Sequence, residues 1–209
     1  MEYTGERVIP EFMKVDNGML LEHVERYIFA KKHVSGRVLD LACGVGYGAD
    51  ILLDEIYNKK IDYYLGIDLS REAIAYAREM YGFQKTQFEQ GDALNSSLVN
   101  QYGKFDTILS FETIEHIEED IEYVRNLKRL LDKKGTLIIS TPFGQGRDIP
   151  CASPFHIRQY RQNEFVELLE DGGFEVELYC QRGQRIEKPK TDQKYYLMVA
   201  LCKPKQRVI

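Results

Sequence analysis

The sequence contains no C-x-x-C pair. Its four cysteines, Cys43, Cys151, Cys180 and Cys202, are scattered along 209 residues, which argues against both a disulfide framework and a structural zinc site. Long apolar runs are missing as well. None approaches the ~18–20 residues that span a bilayer, and the opening M-E-Y-T-G-E-R lacks a signal peptide's apolar core, so no membrane association and a cytoplasmic location are expected. Positive charge is not in excess. The formal net charge of −5 supplies no overall attraction for nucleic acid, and only Lys188 to Arg207 leans basic, plainly read as a solvated loop and terminus. No internal repeat, low-complexity tract or long linker divides the chain. A single domain over 1–209 is expected, with an N-terminal segment and helix in 1–35 and the core in 36–209. Its 44% hydrophobic residues suffice for a substantial core.

What the chain does have is V-L-D-L-A-C-G-V-G-Y-G, Val38 to Gly48. Arg37 to Ala42 is apolar except at Asp40, the pattern of a strand buried on both faces of a parallel sheet. Gly44, Gly46 and Gly48 then permit a sharp turn and close approach of a ligand, before a helix over Ala49 to Tyr57. Unpaired N–H groups at that helix start suit a carboxylate or a phosphate equally. Gly44, Gly46 and Ala49 also satisfy the dinucleotide fingerprint G-x-G-x-x-G/A, with Asp68 about 20 residues on. Asp40 separates the two readings. A carboxylate four residues ahead of the first glycine opposes a pyrophosphate and favours a cationic ligand.

Here the chain resembles the class I S-adenosylmethionine-dependent methyltransferases, whose first motif is D/E-x-x-x-G-x-G. Asp40, Cys43, Gly44 and Gly46 match it, and the resemblance continues over roughly residues 36 to 202. It implies S-adenosylmethionine as cofactor, with the glycine loop beneath the methionine portion and Asp40 near its ammonium group. Tyr63 to Asp68 reads as the second strand, with Ser70 capping a helix over Arg71 to Tyr81. An acid ending that strand can accept two hydrogen bonds from a ribose diol, and Asp68 is the strongest single ligand candidate. Thr86 to Gln90 reads as the third strand, running into Gly91 and Asp92. The resemblance implies that Asp92 accepts from the adenine amino group and that the Ala93 N–H completes the base contact, with Leu69 and Glu112 also along the cofactor. An Asx turn is the plainer reading of Asp92.

Further strands are expected at Phe105 to Phe111, Thr136 to Thr141, Glu175 to Tyr179 and Tyr195 to Cys202. Helices are expected at Met19 to His33, about Ile117 to Leu131, and Gln162 to Leu169, with Asp132 to Gly135 as a turn. The alternation reads as α/β. The resemblance makes it a Rossmann-like, seven-stranded, mostly parallel sheet with helices on both faces and a C-terminal antiparallel hairpin. Asp40, Asp68, Asp92 and Glu112 then all fall at the carboxyl edge, where such sheets bind ligands.

The segment F-E-T-I-E-H holds Glu112, Glu115 and His116. If it is helical, the two carboxylates share a face with His116 alongside, a divalent-metal half-site that His156 of P-F-H-I-R could complete. Glu-x-x-Glu-His with a later histidine resembles the metal-dependent small-RNA 2′-O-methyltransferases, and related segments occur in ubiquinone-pathway O-methyltransferases. That resemblance implies Mg2+ or another divalent cation lowering the pKa of an acceptor hydroxyl. Without metal, His116 or His156 is the candidate general base, and the third alternative is that both are structural. A small-molecule acceptor is the expected partner, an RNA end the less favoured one.

Two flanking segments complete the expectations. Met1 to Asn17 carries Y-T-G-E-R-V-I-P, similar to leaders in bacterial members of the superfamily. It reads as a lid, with Tyr3 as an aromatic face, Arg7 pairing with the methionine carboxylate, and Tyr3, Val8, Ile9 and Phe12 to bury. The long insertion after the fifth strand offers Phe143, Phe155, His156, Arg158 and Tyr160 for an acceptor pocket, with Arg147 or Arg158 meeting an anionic group.

Overall fold

The computed structural model describes residues 7–151 and 153–206. Helix α1 (Gly18–Lys31) is capped by Asn17, whose side-chain oxygen accepts from the Leu20 N–H at 3.1 Å. The chain continues through β1 (Gly36–Leu41), α2 (Tyr47–Ile51), α3 (Leu53–Tyr57), β2 (Ile61–Asp68), α4 (Arg71–Tyr81), β3 (Thr86–Gln90), α5 (Leu98–Tyr102) and β4 (Phe105–Phe111). It ends with α6 (Asp120–Leu130), β5 (Leu131–Pro142), α7 (Gln162–Asp171), β6 (Phe174–Arg182), β7 (Arg185–Glu187) and β8 (Leu197–Pro204).

All eight described strands form one sheet in the order β3-β2-β1-β4-β5-β8-β6-β7. The first five are parallel, β8 runs antiparallel to β5 and β6, and β7 is antiparallel to β6. The expected α/β sheet with its antiparallel C-terminal end is present, but it has eight strands rather than seven. The additional one is β7, three residues that return along β6 after Gly183 at φ 56°, too short for any periodicity to register.

Alternation along the strands builds two cores. Val38, Tyr64, Leu109 and Ile138 face α1, α2 and α4, while Leu39, Leu65, Ile108 and Leu137 face α5, α6 and α7. Asp40 shares the first of these faces by period two. Strand order reverses between β1 and β4, so the loops after them diverge and leave a crevice at the carboxyl edge.

Local differences from the sequence expectation have identifiable causes. The helix over Ala49 to Tyr57 is two short helices broken at Leu52, where ψ rises to 5°. The turn expected at Asp132 to Gly135 is a bulge inside β5: Leu131 pairs with Phe105 and Thr136 with Thr107, and the residues between loop out of register. Helix α6 begins at Asp120 because Ile114–His116 is a separate 3-10 turn, so F-E-T-I-E-H is not one helix.

Candidate active site

The loop after β1 is shaped by two left-handed glycines, Gly44 at φ 57° and Gly46 at φ 85°. They are constrained differently. A Cβ on Gly46 would stand 2.7 Å from Ala77 Cβ and 2.8 Å from the Phe88 ring, whereas one on Gly44 would meet nothing within 4 Å. Gly46 therefore sits against α4 and β3, and Gly44 faces open space. The Gly44 N–H donates to Asp68 Oδ2 at 2.8 Å and the Ser70 N–H to Asp68 Oδ1 at 2.9 Å, so one carboxylate ties the first two loops together. Burial pushes the Asp68 carboxyl up, opposed by those two N–H groups and by the charge of Arg7. Ser70 caps α4 independently through the Ala73 N–H.

Two cavities meet over this loop, sharing Ala42, Asp68, Glu112 and His116. The first, about 450 Å³, also has Arg7, Cys43, Gly44, Glu115 and His156 in its wall. The second, about 440 Å³, is bounded by Leu69, Asp92, Ala93, Thr113 and Ile157. Leu69 is 70% exposed and offers a bare apolar face. Asp92 makes the Asx turn as well, accepting from the Leu94 N–H at 2.8 Å.

Asp40 stands one layer behind the cavities. It is 1% exposed and its Oδ2 accepts from Tyr27 of α1 at 2.9 Å and from Tyr64 of β2. Burial pushes its carboxyl up to about 6 against the pull of both hydroxyls. Cys43 is likewise buried, and its thiol is raised well above the usual range by burial and by Asp40 and Asp68. It packs.

On the β4 side the chain leaves the strand through Glu112, a non-glycine residue at φ 49°. Ser140 Oγ on β5 donates to Glu112 Oε1 at 3.1 Å and takes the Glu112 N–H at 3.2 Å, so β5 fixes this turn. Glu115 follows, fully buried. Thr141 Oγ1 donates to Glu115 Oε2 at 3.1 Å, and Oε1 has no hydrogen-bond partner among the described residues. Burial and the neighbouring Glu112 push its carboxyl well up. His116 Nδ1 lies 2.9 Å from the Phe155 carbonyl, an acceptor only, so Nδ1 carries the proton and Nε2 is the accepting nitrogen. Glu115, His116 and His156 each bring one ligand atom within 4.8 Å of the others. Three of the four expected metal ligands thus converge. Glu112 is not in the group, being held by Ser140.

The insertion after β5 crosses this turn as a strap. The N–H groups of Ile157 and Arg158 both donate to the Glu115 carbonyl, at 2.9 and 3.0 Å. Its arginines do not face an acceptor as expected. Arg147 Nε donates to Asp120 Oδ2 at 2.7 Å, and Arg158 Nε lies 3.6 Å from the same oxygen and donates to the Glu118 carbonyl. Tyr160, fully buried, donates to Asp120 at 2.9 Å. Asp120, buried at the start of α6, consumes all three. Phe155 is half exposed, leaving His156 as the strap residue in the first cavity's wall.

In the N-terminal segment Val8 and Ile9 are buried, but Phe12 is 74% exposed, its ring edge on Tyr76. Tyr3 lies outside the described residues. Sequence reasoning placed α1 but missed its part in the site: Met19, Glu22, His23 and Arg26 all reach the first cavity. The available signal was their spacing of three and four, which puts polar residues on the helix face that also buries Leu20, Tyr27 and Ala30.

A parallel sheet with a strand-order switch, a glycine turn tied to a strand-end acid and a cavity on each side of it define the nucleotide-binding α/β class. Residues 32–199 match the methyltransferase-domain family, and the chain belongs to that family, within the class I S-adenosylmethionine-dependent methyltransferases. It is similar to the "probable S-adenosylmethionine-dependent methyltransferase" of Mycolicibacterium smegmatis, 33% identical over 179 residues, 83% of this chain and 65% of that protein. It is also similar to juvenile hormone acid O-methyltransferase of Bombyx mori, 28% identical over 182 residues, 77% of this chain and 64% of that one. The chain spans less than two thirds of the length of these relatives. N-methyltransferases occur among the relatives too. In fold it superposes on the small RNA methyltransferase HEN1 with a TM-score of 0.72 at 20% identity, covering 97% of this chain and 27% of that one. Of the two ligands that the glycine turn admits, the family selects S-adenosylmethionine.

Proposed function

We propose that this chain transfers the methyl group of S-adenosylmethionine to a nucleophilic oxygen of a small-molecule acceptor. The observation that carries the reading is the pair of cavities meeting at Asp68 and Glu112 above the β1–β4 switch. When bound, the cofactor supplies an electrophilic methyl group on a sulfonium. The residues present fit it. Each Asp68 oxygen retains a lone pair beyond its backbone N–H, enough to accept both ribose hydroxyls. Asp92 and the Ala93 N–H serve the adenine edge and Leu69 its face. Cys43, Gly44 and Gly46 carry the backbone past the methionine portion, with Arg7 toward its carboxylate. Asp40 contributes as a charge behind that wall. Glu112 lies between donor and acceptor. His116 Nε2, or His156, takes the acceptor's hydroxyl proton, and the strap excludes water. Oxygen is favoured by the two imidazoles, whose rings lie 5.0 Å apart. The relative that acts as an O-methyltransferase supports the same choice.

The test is calorimetric titration with adenosylhomocysteine, followed by an acceptor panel read by adenosylhomocysteine release. Tight binding and oxygen-methylated product are expected. Absence of binding defeats the cradle assignment, and a methylated amine as the sole product reassigns the acceptor.

A second reading, supported by the ligand-poor Glu115 Oε1 and the fixed His116 tautomer, adds a divalent cation at Glu115, His116 and His156. One carboxylate and two imidazoles are a chemically suitable donor set, and the ion would acidify an acceptor hydroxyl. Burial and Glu112 disfavour charge on the Glu115 carboxyl, so an ion bound there is expected to displace a proton. Proton release on adding Mg2+ or Mn2+ is therefore the readout, and heats identical in buffers of different ionisation enthalpy defeat this reading.

A further inference from the structure

Arg26 is the least explained charge in the molecule. It is 1% exposed, in the middle of α1, and its Nη1 donates to the neutral Gln181 Oε1 of β6 at 2.9 Å. Its Nε and Nη2 have no hydrogen-bond partner among the described residues. An arginine stays charged at any pH that the fold survives, so its buried N–H groups call for an anion. The Glu112 and Glu115 carboxylates feel the Arg26 charge, yet their recorded hydrogen bonds go elsewhere: Glu112 Oε1 takes the Ser140 hydroxyl and Glu115 Oε2 that of Thr141.

From this geometry we infer that Arg26 is the recognition residue for an anionic group, a carboxylate or a phosphate, on the methyl acceptor. The inference rests on the methyl-transfer reading and deepens it by naming the acceptor's chemical class. Arg26 lines the first cavity with Met19, Glu22 and His23 from successive turns of the same helix. Among the described residues its hydrogen-bond partner belongs to β6, on the far side of β5 and β8 from the glycine loop and the acids of β2 and β3. That location is the acceptor's half of the crevice. Arg7, whose charge acts on Asp68, is the cation on the cofactor's half. Val8, Met19, Phe111 and Leu197 give the same cavity an apolar wall, so the acceptor pairs an anionic end with an apolar body. Because Nε and Nη2 are closed off from solvent, engagement requires the cavity side chains to part. A bidentate carboxylate or phosphate then satisfies both nitrogens at once. His23, part-buried with Nδ1 3.2 Å from the Tyr47 hydroxyl, is held below its ordinary pKa by burial and by Arg26.

The experiment uses the full chain saturated with adenosylhomocysteine and titrates matched probes: benzoate, phenyl phosphate and benzamide, then hexanoate, hexyl phosphate and hexanamide. The anions are expected to bind at least about tenfold tighter than the amides, a gap of about 1.4 kcal/mol. Whichever anion binds tighter identifies the group. Arg26→Met should close the gap to under about threefold, Arg26→Lys should keep part of it, and adenosylhomocysteine affinity should stay within about threefold. Should Arg26→Met fail to fold, Glu22→Gln is the second variant. It removes a repelling carboxylate, so it should tighten the anions about two- to fivefold and leave the amides unchanged. Equal binding of anions and amides overturns the inference, as does an anion affinity that Glu22→Gln does not raise. A fall in adenosylhomocysteine affinity that parallels the anion loss in Arg26→Met also overturns it, by assigning the arginine to the cofactor. Failure of the wild-type chain to bind adenosylhomocysteine defeats the methyl-transfer reading instead.

Discussion

The two halves of the crevice are built by different means. On the β1–β3 side, the ligand surface is backbone turned sharply at glycines, with Asp68 and Asp92 following β2 and β3, all within a few residues of a strand. On the β4–β5 side, the surface is side chains assembled from afar: Glu115 from the 3-10 turn, His156 from the strap, Arg26 from α1, with Ser140 and Thr141 of β5 beneath them. The first construction tolerates little change and fits one ligand. The second can be rebuilt one side chain at a time, which suits the half that meets the variable partner.

Breaking the backbone side should have the largest effect. Gly46→Ala adds a clash with Ala77 and Phe88 to a left-handed φ of 85°, and is expected to cost about 3–5 kcal/mol in urea unfolding. Gly44→Ala, with open space around it, should cost only about 1–2 kcal/mol and act mainly on cofactor affinity. Equal losses for the two would contradict the assignment of Gly44 to the ligand side. Asp68→Ala comes next. Removing a charged acceptor from the ligand and from Gly44 should weaken adenosylhomocysteine binding about 100-fold, and wild-type affinity in calorimetry would remove Asp68 from the cradle.

Asp40 sharpens the contrast through pH. Its folded carboxyl, pushed up to about 6, binds protons that the unfolded chain releases near 3.8. Stability must therefore fall as pH rises through that window, by about 3 kcal/mol in all, and the full cost is present above it. Asp40→Asn keeps an oxygen for Tyr27 and Tyr64. It should flatten that slope and raise stability at pH 7.5 by about 2 kcal/mol, as followed by thermal melts across pH 4–8. The smallest change is expected at Glu115. Burial and Glu112 already favour its uncharged form, so Glu115→Gln should alter stability by less than about 1 kcal/mol while abolishing any proton release caused by Mg2+.

The sequence disclosed the local half of this molecule. Ser70 capping α4, the β3 boundaries and the acid at each strand end are decided within four residues, and all three are where the residue pattern puts them. Contacts across long separations were not legible. Arg147, Arg158 and Tyr160 look available for an acceptor until Asp120 folds against them from some 27 to 40 residues away. Asp40 looks like a ligand until Tyr27 and Tyr64 close over it. Arg26 meets Gln181 from 155 residues on, a contact that no local pattern in α1 announces. F-E-T-I-E-H misled for a local reason, because the left-handed turn at Glu112 prevents the helix that would align the two glutamates.

The short strand β7 has a consequence for how this protein coexists with its neighbours. Without it, all nine residues of β6 would present open N–H and C=O groups to any passing strand. It pairs with Cys180 to Arg182 and leaves the shorter run from Phe174 to Tyr179 as edge, where exposed Glu175 and Glu177 place charge. The opposite border, β3, is five residues long and alternates Gln87 and Glu89 with buried Phe88. Shortened, charged edges of this kind discourage strand-by-strand growth into fibres.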